Sequence, residues 1–230
     1  MSPIRVTALR AMLAALAMLF GQGLLHGVGP DHCLAIGALA SRGGLGEALR
    51  VSVRFGVGHT AVLGLLAFLA ALAGLAIPEA WESRLEVLGG LSLMALGVST
   101  LVSRDHQIAH LHADGSMHVH ASPDGEAVPP RAAQPGWVSG LVGAVFGLSG
   151  VRALVLVLPL TVRQRGLSLA LGVLLFGLGV VVSMTAVGWL TQRVAKAAER
   201  RARWEWVLRA LVGLASVLCG AYWVVDHLGP

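Results

Sequence analysis

Residues 9–40 read LRAMLAALAMLFGQGLLHGVGPDHCLAIGALA, an apolar run broken in its middle by His26, Asp31 and His32 and by the pair Gly29-Pro30. About 20 apolar residues suffice to cross the ~30 Å hydrocarbon core of a bilayer as a helix. This run has 32 and, as one straight helix, would reach about 48 Å. It therefore reads as a transmembrane segment bent or broken at Gly29-Pro30, or as two successive helices. Lipid offers the backbone no hydrogen-bond partners, which leaves helices and closed barrels as spanning structures. The absence of period-2 alternation excludes the barrel.

Five more apolar runs follow, at about 53–77, 85–102, 137–162, 167–190 and 204–225, for six spans in all. The whole chain agrees, with 56% hydrophobic and 13% charged residues, where a soluble domain carries nearer a quarter charged. The expected fold is an all-α polytopic membrane bundle. Its 30 glycines suit close helix packing in lipid. The basic flank and apolar stretch from Arg5 to Phe20 resemble a signal peptide, but no small-x-small site follows and the apolar run continues. Two cysteines, Cys33 and Cys219, supply neither a disulfide framework nor a zinc spacing.

The net charge of +5 implies loop topology, not a nucleic-acid partner, because basic residues gather in cytoplasmic loops. One side holds Arg42, Arg50, Arg54, Arg104, Arg131, Arg193, Lys196, Arg200, Arg201 and Arg203, and the other Arg5, Arg10, Arg84, Arg163 and Arg165. The richer side is then cytoplasmic and both termini face outward. This predicts a multi-pass protein of a bacterial inner membrane. The cluster from Arg193 to Arg203, between the fifth and sixth spans, reads as a topological anchor against anionic lipid.

The two halves resemble each other. His26-Gly27-Val28-Gly29-Pro30-Asp31-His32 aligns with Phe146-Gly147-Leu148-Ser149-Gly150-Val151-Arg152 at an offset of 120, and Phe55-Gly56-Val57-Gly58 with Phe176-Gly177-Leu178-Gly179 at 121. Three spans per copy is odd, so the copies would have opposite topology. The expectation is a 3+3 inverted repeat, with the substrate site near the midplane at a discontinuous helix. Residues 1–103 form the first repeat, 104–136 a polar loop and 137–230 the second repeat.

Chemistry concentrates in the first repeat. His26, Asp31, His32 and His59 lie within apolar runs, where an ionisable group costs roughly 2.5–3.5 kcal/mol on insertion scales. Imidazole nitrogen with carboxylate oxygen suits a divalent transition ion, and no thiolate cluster points to Cu(I). On a straight helix His26 and His32 would be about 240° apart. Pro30 lacks the N–H that His26 O would accept. A break there would fold His26 back towards Asp31 and His32 and free carbonyls near the site. Taken singly, His59 reads equally as an interhelical hydrogen bonder.

These residues resemble the nickel/cobalt transporter family. His26-x4-Asp31-His32 is similar to its H-x4-D-H signature, and Gly58-His59-Thr60 to its second motif, Gly-His before Ser or Thr on the next helix. The wording is nearest to the shorter urease-accessory-like and exporter branches. The resemblance covers about the first quarter of the chain. It implies that His26, Asp31, His32 and His59 line a metal pathway, and that Ni2+ or Co2+ is the transported ion, with no permanently bound cofactor.

The second repeat departs from the motif. Phe146, Val151, Arg152 and Val180 stand where the first has His26, Asp31, His32 and His59. Arg152 reads as a partner of Asp31, as a snorkelling cation or as a structural lipid-edge residue. The polar loop carries His106, His110, His112, His118 and His120, a flexible segment able to capture metal loosely. Similar loops in the exporter branch favour efflux, although the motifs leave direction open. No P-loop is present, so a secondary permease is expected, not an enzyme. Two other readings stand beside it. One is an accessory membrane subunit delivering nickel to a metalloenzyme maturation system. The other is a thiol–disulfide electron carrier using Cys33 and Cys219. A partner subunit or a second copy of the chain fits each of them.

Overall fold

The chain does break at Gly29-Pro30. In the computed structural model, which describes residues 3–40, 44–73, 79–102, 109–111, 117–119, 136–149, 167–199 and 202–228, α1 is Pro3–Gly27 and α2 is Pro30–Ala40. The run 9–40 is thus not one long span. Residues Arg5–Gly27 are by themselves long and apolar enough to cross a membrane, and α2 is a separate helix of 11 residues with most of its side chains buried.

The other described helices are α3 (Leu45–Ala73), α4 (Glu79–Val102), α5 (Trp137–Ser149), α6 (Leu167–Glu199) and α7 (Ala202–Leu228). Five of the seven, α1, α3, α4, α6 and α7, have the length and apolarity to span. Helix α5 is apolar but has 13 described residues; the rest of the expected fourth span, 150–162, lies outside the described residues. The helices outrun the expected apolar limits. Helix α3 starts at Leu45, where Gly44 O accepts the N–H groups of Glu47 and Ala48. Helix α6 continues to Glu199, so Arg193 and Lys196 sit on its last turns and not in a loop. Both corrections have one cause: hydropathy marks where lipid begins, not where the helical ladder ends. The loop 104–136 is not structureless either. Strands β1 (Ala109–Leu111) and β2 (Met117–Val119) pair antiparallel, with His110 opposite His118. The loop histidines His106, His112 and His120 lie outside the described residues.

The bundle turns its large aliphatic side chains outward, Leu25, Leu65, Leu174 and Leu218 among them. It packs its interior with small residues and a few rings. Helix α1 lies on α6, α3 on α5 and α6, and α4 on α7, with α2 wedged among α3, α6 and α7. Glycines set these approaches: a Cβ at Gly23 would strike the carbonyl of Phe176, and one at Gly143 that of Phe55. Hydroxyls inside the bundle bond back along their own helices, as Ser52 to Ala48 O at 2.8 Å and Thr60 to Gly56 O at 2.7 Å. These bonds satisfy the hydroxyls among their apolar neighbours.

Candidate metal centre

Three elements deliver the site. His26 sits on the last turn of α1. Gly29 N–H donates to His26 O at 3.0 Å and Val28 N–H to Leu25 O at 3.4 Å. A tight turn therefore takes up the carbonyls that the proline break was expected to leave free. Helix α2 then begins with Cys33 N–H donating to Gly29 O at 2.9 Å. Pro30 is its first residue, a position that needs no N–H and favours proline's fixed φ. Asp31 and His32 follow in the first turn, where a carboxylate meets the positive end of the helix dipole. Their side chains fold back over Gly29: an added Cβ there would lie 2.7 Å from Asp31 Oδ1 and 3.0 Å from His32 Nδ1. Only glycine leaves that space.

His59 comes from the middle of α3. His26 Nε2 and His59 Nε2 lie 3.0 Å apart. The ring centroids of His26 and His32 are separated by 4.9 Å, and those of His32 and His59 by 4.7 Å. One ring nitrogen from each of the three lies within 4.8 Å of the others. Asp31 stands outside this trio, with Oδ2 2.9 Å from His32 Nδ1. The structure thus brings three of the four expected residues onto one point and sets the carboxylate behind His32. His32 and His59 are buried at 4% and 0% exposure. His32 Nε2 and His59 Nδ1 have no hydrogen-bond partner, while His32 Nδ1 has the Asp31 carboxylate beside it. Buried polar atoms normally find partners. Three imidazoles that each bring a ring nitrogen to one cluster have the chemistry of a site for a borderline divalent ion.

Rings the sequence reading passed over enclose the cluster. Phe55 stacks on His59 with centroids 6.4 Å apart, Phe146 lies 6.2 Å from His32, and Phe176 lies 5.6 Å from His26. All three are almost fully buried. In the sequence Phe55, Phe146 and Phe176 stand out only as repeat markers, although the spacing of four residues from Phe55 to His59 and from Phe176 to Val180 places each pair on one helix face. Gln192, also buried, donates to Ala40 O at 3.4 Å and so caps α2. Its place between Thr191 and Arg193, beside the basic cluster, makes it look like a residue of a polar span end. Arg152 lies outside the described residues. Cys33 and Cys219 are both free thiols, and Cys33 Sγ faces Val28 O at 3.5 Å.

The break does not depend on proline alone. Pro30→Ala would restore an N–H able to bond His26 O, a net gain of about 1 kcal/mol. Straightening the chain to make that bond would pull Ala35, Ile36 and Ala40, all at 0–2% exposure, out of their packing. Losing one well-packed aliphatic side chain alone costs about 2–5 kcal/mol. Packing wins, so Pro30→Ala should keep thermal stability within about 1 kcal/mol and metal affinity within a few-fold. A large affinity loss measured by calorimetry, with the fold retained, would show that the ring itself holds the break.

The fold and this cluster define a polytopic helical membrane protein with a histidine centre buried at a helix discontinuity. The chain is similar to the urease accessory protein UreH of Bacillus sp. (strain TB-90), 26% identical over 223 residues that cover 94% of this chain and 92% of that protein. The resemblance to the nickel/cobalt transporter family, including its urease-accessory branch, therefore extends from the first two spans to nearly the whole chain. No protein-family model and no solved structure matches it.

Proposed function

We propose that this chain is a secondary transporter for a divalent transition-metal ion, Ni2+ or Co2+, which passes through the His26–His32–His59 cluster. The observation that carries the reading is the convergence of three imidazoles, two of them fully buried and with orphaned nitrogens, at the junction of α1, α2 and α3. Neutral imidazoles bind such ions, and the 3.0 Å between His26 Nε2 and His59 Nε2 equals the edge made by two bonds of about 2.1 Å at right angles. Asp31 would hold His32 Nδ1–H and so direct Nε2 at the ion, the usual carboxylate–histidine arrangement.

A 3+3 inverted repeat, with residues 1–103 and 137–230 as its copies, completes the proposal. Exchanging the halves maps the helix contacts onto themselves. Gly23 against Phe176 O exchanges with Gly143 against Phe55 O, and Gly179 against Phe20 O with Gly58 against Gly140 O. Gly27 beside Val180 O exchanges with Gly147 beside His59 O. Even the ring pairs agree: His26–Phe176 and Phe146–Phe55 both have centroids 5.6 Å apart. These matched contacts support six spans with a site near the midplane. The inner-membrane location, with outward termini and the histidine loop 104–136 on the cytoplasmic side, rests on the charge bias of the loops. A loop of His106, His110, His112, His118 and His120 on that side would collect ions for export.

The likeness to a urease accessory protein supports a second reading, an accessory subunit that hands nickel to a partner. Purified protein in liposomes loaded with a metal-sensitive dye separates the two. Ni2+ or Co2+ entry well above protein-free vesicles is expected for the transporter. Tight binding without flux would leave the accessory role.

A further inference from the structure

The phenylalanines around the histidines carry an inference that deepens the transport reading and rests on it for the identity of the cargo. Helices α3 and α6 cross antiparallel: Gly56 lies against Val181, and Gly177 against Thr60. Phe55 is one residue beyond the first contact, towards the start of α3 at Leu45. Phe176 is one residue beyond the second, towards the start of α6 at Leu167. Because the helices run in opposite directions, those starts lie at opposite ends of the pair. The two rings are thus offset by about 9 Å along the bundle, the rise of roughly six residues, and His59 falls at a level between them.

Each ring closes on a partner at the repeat-related position. Phe55 meets Phe146, and Phe176 meets His26, with centroids 5.6 Å apart in both pairs. Phe55, Phe146 and Phe176 are 0–2% exposed. An apolar constriction that excludes water stops a hydrated ion without any charge barrier. We propose that Phe55 and Phe176 are the two gates of the permeation route, each sealing the histidine site from one face of the membrane. Alternating access would then consist of parting one ring pair while the repeat-related pair stays shut.

The test uses the full-length protein with Cys33 and Cys219 changed to Ser and one reporter, Val180→Cys. Val180 is fully buried and is the repeat counterpart of His59. A membrane-impermeant maleimide is added to sealed vesicles of either orientation. Gly46→Cys, exposed on the first turn of α3, marks in parallel the face on which α3 begins. In the parent the reporter should label slowly from both faces. Phe55→Ala should accelerate labelling at least tenfold from the face on which α3 begins and leave the other unchanged. Phe176→Ala should do the converse. Phe55→Leu and Phe176→Leu, which keep apolar bulk, should restore slow labelling and so exclude general loosening. Acceleration by both Ala variants from the same face, by either from both faces, or by neither, overturns the gates. Labelling needs no metal, so the two readings fail separately: one-sided labelling that Ni2+ does not slow would keep the gates and reject the ion.

Discussion

Removing His32 should abolish tight binding of Ni2+ and Co2+, a loss of more than about a hundredfold, while leaving the protein folded. Its Nε2 is buried without a hydrogen bond while its Nδ1 meets Asp31 Oδ2 at 2.9 Å, so one nitrogen serves the empty fold and the other is left for an ion. An unsatisfied buried polar group costs about 1–3 kcal/mol. His32→Ala removes the orphaned Nε2 but strips the buried Asp31 carboxylate of its 2.9 Å partner, so without metal it should melt below the parent in detergent yet remain folded. His59→Ala should lose metal binding to the same extent, since its Nε2 faces His26 Nε2 at 3.0 Å. Asp31 gives a graded result. If it acts through His32, as its 2.9 Å approach to Nδ1 suggests, Asp31→Asn should cost about 10–100-fold in affinity, the range for groups that orient a ligand. A loss equal to that of His32→Ala would instead make Asp31 a direct ligand. Calorimetry paired with thermal unfolding reads all three variants. Unchanged affinity in a folded His32→Ala protein would remove the histidine cluster from the metal pathway.

Much of this site is legible in the sequence because lipid makes polar residues expensive. His26, Asp31, His32 and His59 announce themselves by standing in apolar runs, and Gly29-Pro30 marks the turn that lets His26 face His32. The division of labour is not legible. That Asp31 stands behind His32, and not beside the other imidazoles, depends on how α2 turns out of Gly29, a matter of dihedral angles and not of spacing. The enclosing rings were hidden for another reason. A large apolar residue in a span looks the same in sequence whether it is exposed on the outside of the bundle, as Leu174 and Leu218 are, or buried beside the histidines, as Phe176 is. Helix limits failed where charge intrudes: Glu47 and Arg50 depress the hydropathy of the first turns of α3, yet the ladder runs through them. The equal offsets between matching stretches of the two halves could be read directly. Which glycines bear on which carbonyls could not, because that is fixed by the helix packing.

Those glycines make the second large prediction. Gly147 and Gly143 lie four residues apart on one face of α5, against the backbone carbonyls of His59 and Phe55. A methyl group at Gly147 would strike a carbonyl held in the α3 ladder, which cannot swing aside as a side chain would. The two helices must separate, and the backbone that moves is that of His59. Overpacking of this kind costs about 1–3 kcal/mol. The displacement is the larger matter, since the 3.0 Å approach of His59 Nε2 to His26 Nε2 leaves little room for a shift of an ångström. Gly147→Ala should therefore lower thermal stability and weaken Ni2+ affinity at least tenfold together. Gly21→Ala is the matched control: nothing lies within 4 Å of a Cβ there, and alanine is favoured over glycine within a helix by about 1 kcal/mol. It should unfold at the same or a higher temperature with unchanged affinity. If Gly147→Ala kept both quantities near the parent's, the contact between α3 and α5 would not be what places His59, and the packing of α3 on α6 would have to hold it instead.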